Sequence, residues 1–217
     1  MLLTARKFLQ AKIVGTENHL RGLLRNFGLK VGAVTRAQFE QRVGELLRQS
    51  PHLALTITPL LEVRRVLHEQ YQLVDRAMKK LAADDGICRL LMTAPGVGPV
   101  VALTFRAGVD EPARFARSRA VPAHFGLTPA RYQSGEMDRS RGISKCGDVG
   151  VRWALVEAAG VILRHRARRS PLKVWGMAIA KRRGPARAMV AVARRLGTIL
   201  HRMWVDHTEY RWEAQTA

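Results

Sequence analysis

Carboxylates are scarce in this chain. Its 217 residues hold 17 aspartates and glutamates against 37 lysines and arginines, a formal charge of +20 with a pI near 11.5. A two-metal nuclease needs several acids converging on one point. Here Asp84-Asp85 reads as a helix end, and Asp110-Glu111 before Pro112 reads as a turn. Glu136 and Asp138 could lie near Asp148, but a trio set among arginines orders those cations more simply than it holds a metal. No metal site is expected in the chain. Cysteine is scarcer still. Cys88 and Cys146 form no CxxC, so neither a zinc ribbon nor a disulfide framework is supported; the two could still meet in space, but a reducing cytoplasm is the simpler reading. The seven histidines show no HxxxH or HExxH spacing, which argues against a zinc hydrolase. No apolar run approaches the roughly 18 residues of a membrane-spanning helix. The apolar run at Met1-Leu2-Leu3 is too short for a signal peptide.

What is present is positive charge. At +20 the chain predicts a polyanionic partner, most simply nucleic acid. The basic set is mostly arginine, which grips phosphate and guanine edges in pairs of hydrogen bonds. Residues 1–87 carry 14 basic and 8 acidic side chains; residues 88–217 carry 23 and 9. Between Glu157 and Asp206 no acid interrupts 12 arginines and lysines. Lys181, Arg182, Arg183, Arg194 and Arg195 are candidate nucleic-acid contacts within that stretch.

The expected fold is mainly α, a helical hairpin or coiled-coil region over 1–87 followed by an α-rich domain over 88–217. Leu3, Phe8, Ile13, Leu20, Leu23, Leu24 and Phe27 suit a buried helical stripe. Thr35-Arg36-Ala37-Gln38 fits a capping box before Phe39, Val43, Leu46 and Leu47. Thr58-Pro59 reads as a helix start. After it Leu60, Leu67, Tyr71, Val74, Met78 and Leu81 follow a near-heptad rhythm that Arg64 interrupts. That rhythm suits either a dimer seam or packing within one chain. Further on, Pro95-Gly96-Val97-Gly98-Pro99 between apolar segments suits a helix-hairpin-helix turn, where Gly96 and Gly98 let backbone amides approach phosphate. A plain helix–helix turn is the alternative. Asp148 can cap a helix to about Arg166, Ser170-Pro171 starts another, and Gly184-Pro185 precedes a last one to about Asp206. A short hairpin fits within 121–145.

The densest chemistry lies between residues 126 and 148. Gly126-Leu127-Thr128-Pro129, Gln133-Ser134-Gly135 and Gly142-Ile143-Ser144-Lys145-Cys146-Gly147-Asp148 mix glycines with hydroxyls, and Arg131, Arg139, Arg141 and Lys145 stand among them. Attack on a phosphodiester needs a hydroxyl, a route for its proton, and cations over the phosphate oxygens. Ser134 has room beside Gly135, and Ser144 has Lys145 as neighbour. Spacing leaves both serines open, and both also suit ordinary turn roles.

These segments, with Pro122, Pro95-Gly96-Val97-Gly98-Pro99 and Ala188-Met189-Val190-Ala191-Val192-Ala193-Arg194, resemble the C-terminal domain of the insertion-sequence one-ten family transposases, the group related to the Piv and MooV DNA invertases. The likeness covers roughly 88–205, and Arg21-Gly22-Leu23-Leu24 is similar to the family's helical middle. The resemblance implies DNA as partner, a structured guide RNA in some members, and a serine that forms a phosphoserine link to DNA. Carried over, Ser134 is the first choice for that serine and Ser144 the second. It further implies an N-terminal RuvC-like domain with four metal-binding acids. This chain starts near where that domain should end, so magnesium is expected only with that domain and none on this chain. A homo-oligomer in the bacterial cytoplasm, associated with the nucleoid, is the expected setting. A non-catalytic nucleic-acid-binding and oligomerising module is the second expectation.

Overall fold

The computed structural model describes residues 1–134, 137–164 and 168–212, with the side chains of 131–141 outside the description. The fold is mainly α, as the periodicity implied. Among the described residues there are nine α-helices and one β-hairpin. The chain divides into two compact units, 1–78 and 79–217.

The first unit is built on α1 (Leu2–Asn26), α2 (Phe39–Gln49) and most of α3 (Ala54–Asp84). Arg6 on α1 pairs with Asp75 on α3 at 2.5 Å, and Glu17 pairs with Arg64 at 2.8 Å. Eleven residues forward on α1 correspond to eleven back on α3, so the two helices run antiparallel as a hairpin. The apolar core gathers Leu20, Leu24, Val31, Phe39, Val43, Leu46, Leu53 and Ile57.

Arg64 explains the interrupted heptad. It is buried, at 5% exposure, and its guanidinium donates to Glu17 and to the carbonyl of Arg36 while lying 4.9 Å over the Phe39 ring. A buried cation is tolerable only when its donors are used in this way. The slot that breaks the rhythm is therefore the one that locks α1, the turn before α2 and α3 together. Met78 is buried, and Leu60, Leu67, Tyr71 and Val74 are half-buried, whereas Leu81 is 49% exposed.

Two local expectations differ from the structure. Thr58-Pro59 does not start a helix: a 3-10 turn at Pro51–Leu53 leads into α3, and Pro59 lies inside it. Leu53 and Ile57 are buried in the core and carry the chain into helix before the proline is reached. The capping box does form, with Thr35 and Gln38 exchanging hydrogen bonds, yet regular helix begins only at Phe39, three residues beyond the position that directly follows a Thr35 cap.

The second unit contains α4 (Gly86–Met92), α5 (Pro99–Val109), α6 (Ala120–His124), β1 (Pro129–Ser134), β2 (Met137–Ile143), α7 (Val149–Leu163), α8 (Pro171–Arg183) and α9 (Pro185–Asp206). The sequence places these ends. Asp85, Asp148 and Ser170 each accept a hydrogen bond from the backbone N–H three residues on, which satisfies an otherwise orphaned donor at each helix start. Helix α9 is the centre, packing against α4, α6, α7 and α8. Its inward face of Ala188, Val192, Ala193, Leu196, Leu200 and Met203 is buried. Helix α7 contributes Val151, Ala154, Leu155, Ala158, Ala159 and Ile162. The alanines on both helices keep side chains short where helices cross, so backbones approach closely.

Candidate nucleic-acid interface and serine loop

The β-hairpin grows out of a rigid root. Leu127 N–H donates to the carbonyl of Pro122, Ser144 N–H to that of Thr128, and Lys145 N–H to that of Gly126. Gly126 and Gly147 both have positive φ, +68° and +67°. A Cβ on Gly126 would run into the backbone of Cys146, and one on Gly147 would run into the carbonyl of His124. The chain crosses itself backbone to backbone at this root. Arg152 on α7 pins the crossing, donating one terminal N–H group to the carbonyls of Phe125 (3.0 Å) and Cys146 (2.7 Å). Nothing in the local sequence marks Arg152 for this role; its only signal is one cation in a strongly apolar helix.

The strands pair antiparallel, with Pro129 opposite Ile143, an irregularity, then Arg131 opposite Ser140, Tyr132 opposite Arg139, and Ser134 opposite Met137. Ser134 thus lies at the tip and Ser144 just beyond the base. Six residues of strand separate their levels, about 20 Å at roughly 3.3 Å per residue. The two serines cannot serve one site. The side chains of Arg131, Ser134, Arg139 and Arg141, which carried the sequence-based reading, lie outside the described residues. Ser144 is described: it is exposed, with Oγ 3.2 Å from the Cys146 sulfur. Lys145 is exposed and has φ +59°, a left-handed backbone that a lysine adopts at a cost of about 1 kcal/mol.

The glycine turn between α4 and α5 separates its two glycines. Gly96 has φ +74°, and a Cβ there would lie 2.5 Å from the carbonyl of Ala158 on α7. Its lack of a side chain is accounted for by helix packing. Gly98 caps α5, and a Cβ there would meet no atom within 4 Å, so helix packing does not account for this glycine. Lys181, Arg182 and Arg183 fill the last turn of α8, where they also complement the helix dipole. Arg194 and Arg195 are exposed on α9, and Arg195 lies 4.7 Å over the Trp175 ring of α8. A cleft of about 510 Å³ follows that helix pair, lined by Pro171, Arg195, Ile199, Arg202, Asp206 and Tyr210 among others; of the sequence-selected residues it includes Arg195 alone.

Among the described residues no three His, Cys, Asp or Glu side chains gather to hold a metal ion. Asp148, one of the three acids weighed from the sequence, is committed to capping α7. No described helix is long and apolar enough to cross a membrane.

The cysteines differ sharply. Cys146 is exposed, while Cys88 is buried at the start of α4. Burial, reinforced by the charge of Asp85, raises the Cys88 thiol from its ordinary 9.0 to about 12. Between those two values the unfolded chain has lost this proton and the folded one keeps it, so stability falls as pH rises from 9 to 12. Three units correspond to about 4 kcal/mol at the upper limit. The expected result is twofold. A thiol reagent labels Cys146 in the native protein and Cys88 only after unfolding. Denaturant melts show a fall in stability above pH 9 that is shallower in Cys88→Ala. Rapid native labelling of Cys88 would contradict the burial.

Residues 88–173, which contain the glycine turn, the hairpin and all of α7, match the family described as transposase IS116/IS110/IS902. The chain belongs to this family. It is 32% identical over 205 residues to the transposase for insertion sequence element IS1111A of Coxiella burnetii, covering 89% of this chain and 55% of that protein. It is 29% identical to the transposase for insertion sequence element IS1328 of Yersinia enterocolitica, covering 70% and 46%. It is 27% identical to a probable family 20 transposase of Pseudomonas aeruginosa, covering 89% and 59%. The chain thus spans about half the length of these curated relatives.

Proposed function

We propose that this chain is the DNA-handling part of a transposase and that its second unit carries the serine half of a composite active site. One observation carries the reading: the segment that matches the transposase family contains a hairpin with Ser134 at its tip, whose locked backbone root is tied to α7 by the Arg152 side chain. That placement supports the role. A hydroxyl at a hairpin tip can reach into a groove, while the root holds its position against the helices. Arg131, Arg139 and Arg141 on the same hairpin would set charge over the attacked phosphate. Gly98 and the positive end of α5 would meet backbone phosphates as a helix-hairpin-helix element. The cations of α8 and α9 would extend the contact to DNA, or to a structured guide RNA. Acids that hold magnesium would come from a RuvC-like domain outside these residues. A helical hairpin like that of the first unit can join copies of the chain, making the working form a homo-oligomer.

A second reading is a nucleic-acid-binding and oligomerising module without chemistry. It rests on the scarcity of carboxylates, 17 against 37 cations, and on the charge of +20. Two measurements test the proposal. Affinity for DNA should fall steeply with salt, by about 10³-fold or more from 50 to 200 mM if six or more phosphates are neutralised. Incubation with cognate element DNA and the acidic domain should give a protein–DNA adduct that survives denaturation. Salt-independent binding would overturn the DNA reading, and binding without an adduct would leave the module.

A further inference from the structure

Three of the four tryptophans have an arginine over their ring. Arg106 covers Trp204 at 5.0 Å, Arg168 covers Trp212 at 4.2 Å, and Arg195 covers Trp175 at 4.7 Å. Trp153 has none among the described residues and is 66% exposed. It lies on the second turn of α7, one turn after Val149, itself 62% exposed. The opposite face of this helix is the buried core, through Val151, Ala154 and Leu155. Folding therefore does not require an indole at 153, and leaving so large an apolar surface in water has a cost.

We propose that Trp153 is a stacking platform for the base of an unpaired nucleotide, next to the serine hairpin. The inference rests on the nucleic-acid reading above and deepens it. Chemistry favours this occupant. An indole face stacks on any base regardless of sequence. The residues around the start of α7 supply the complement for the attached phosphate: exposed Lys145 three residues before the helix cap, and Arg152, whose guanidinium is bonded to neutral carbonyls. Glu157, one turn further along, is exposed and repels phosphate. That gives the strand a direction, with its backbone toward the hairpin root and its base over Trp153. Strand exchange must pass through unpaired DNA, and a platform here would hold a base open at the hairpin root, about 20 Å along the hairpin from Ser134.

The test uses the full chain with a labelled single-stranded oligonucleotide and a duplex of equal length, titrated at several salt concentrations. Trp153→Ala is expected to weaken single-strand binding about tenfold, in line with the loss of one base–aromatic stack. The slope of affinity against salt should stay unchanged, because stacking releases no counterions. Trp153→Phe should retain most of the affinity, and duplex binding should change less than single-strand binding. Lys145→Ala should instead lower the slope. If the wild-type chain binds with its salt dependence intact and Trp153→Ala binds as well as it does, the platform is overturned while the nucleic-acid reading stands. If Trp153→Ala dissociates an oligomer and leaves oligonucleotide affinity untouched, the face is a protein contact and the proposal falls.

Discussion

Ser134→Ala is expected to abolish the covalent DNA adduct and reduce strand exchange by about 10³-fold or more, as loss of a nucleophile does. DNA affinity should stay within about twofold, since one neutral hydroxyl contributes little beside many phosphate contacts. Ser144→Ala is the informative partner. Ser144 sits about 20 Å along the hairpin from Ser134, and its Oγ faces the Cys146 sulfur. Its backbone N–H ties β2 to Thr128 in any variant. Ser144→Ala should therefore keep the adduct and most of the activity. A reversed pattern would move the nucleophile to the hairpin root. Full activity of both variants would remove the serine mechanism altogether. Ser134→Cys adds a separate readout: an adduct, if formed, would change from phosphoserine to a thiol-linked ester with different stability to base.

Much of the architecture could be read from local rules. Asp148, Ser170 and the Gly184-Pro185 pair mark helix boundaries because each does its work within three residues of itself. The same holds for the hairpin, whose ends lie in glycine-rich sequence. What could not be read depends on partners distant in sequence. Pro59 looks like a helix start, yet the buried Leu53 and Ile57 begin α3 earlier. Arg64 looks like a flaw in an apolar repeat, yet its partners Glu17 and Arg36 lie 47 and 28 residues away. Gly96 and Gly98 look equivalent in a phosphate-binding turn, but α7, more than fifty residues later, fills the space beside only one of them. At the serine loop, residue types revealed the candidate hydroxyls. Only the register showed that they stand at opposite ends.

Gly147→Ala is expected to damage both the fold and the site. Its φ of +67° already disfavours any L side chain, by about 1–2 kcal/mol. The greater cost is steric. The new Cβ meets the carbonyl of His124, and the Cα of Phe125 lies 3.3 Å away. Backbone atoms cannot swing aside as a side-chain tip can, so the root must open. Opening separates the Cys146 carbonyl from Arg152 and strains the Lys145 hydrogen bond to Gly126. A loss of about 3 kcal/mol or more is expected, the scale of overpacking plus a broken polar cluster, and a fall in Tm of about 10 °C. Gly98→Ala is the control: its φ of −102° suits alanine and no atom lies within 4 Å of the added carbon. It should melt within a few degrees of wild type. A second signal separates root opening from general destabilisation. In Gly147→Ala the Cys146 thiol should label faster at temperatures well below the melt, while buried Cys88 stays protected. If the variant melts like wild type, the crossing at 126 and 147 tolerates a side chain, and the hairpin is not held as rigidly as the proposed serine role requires.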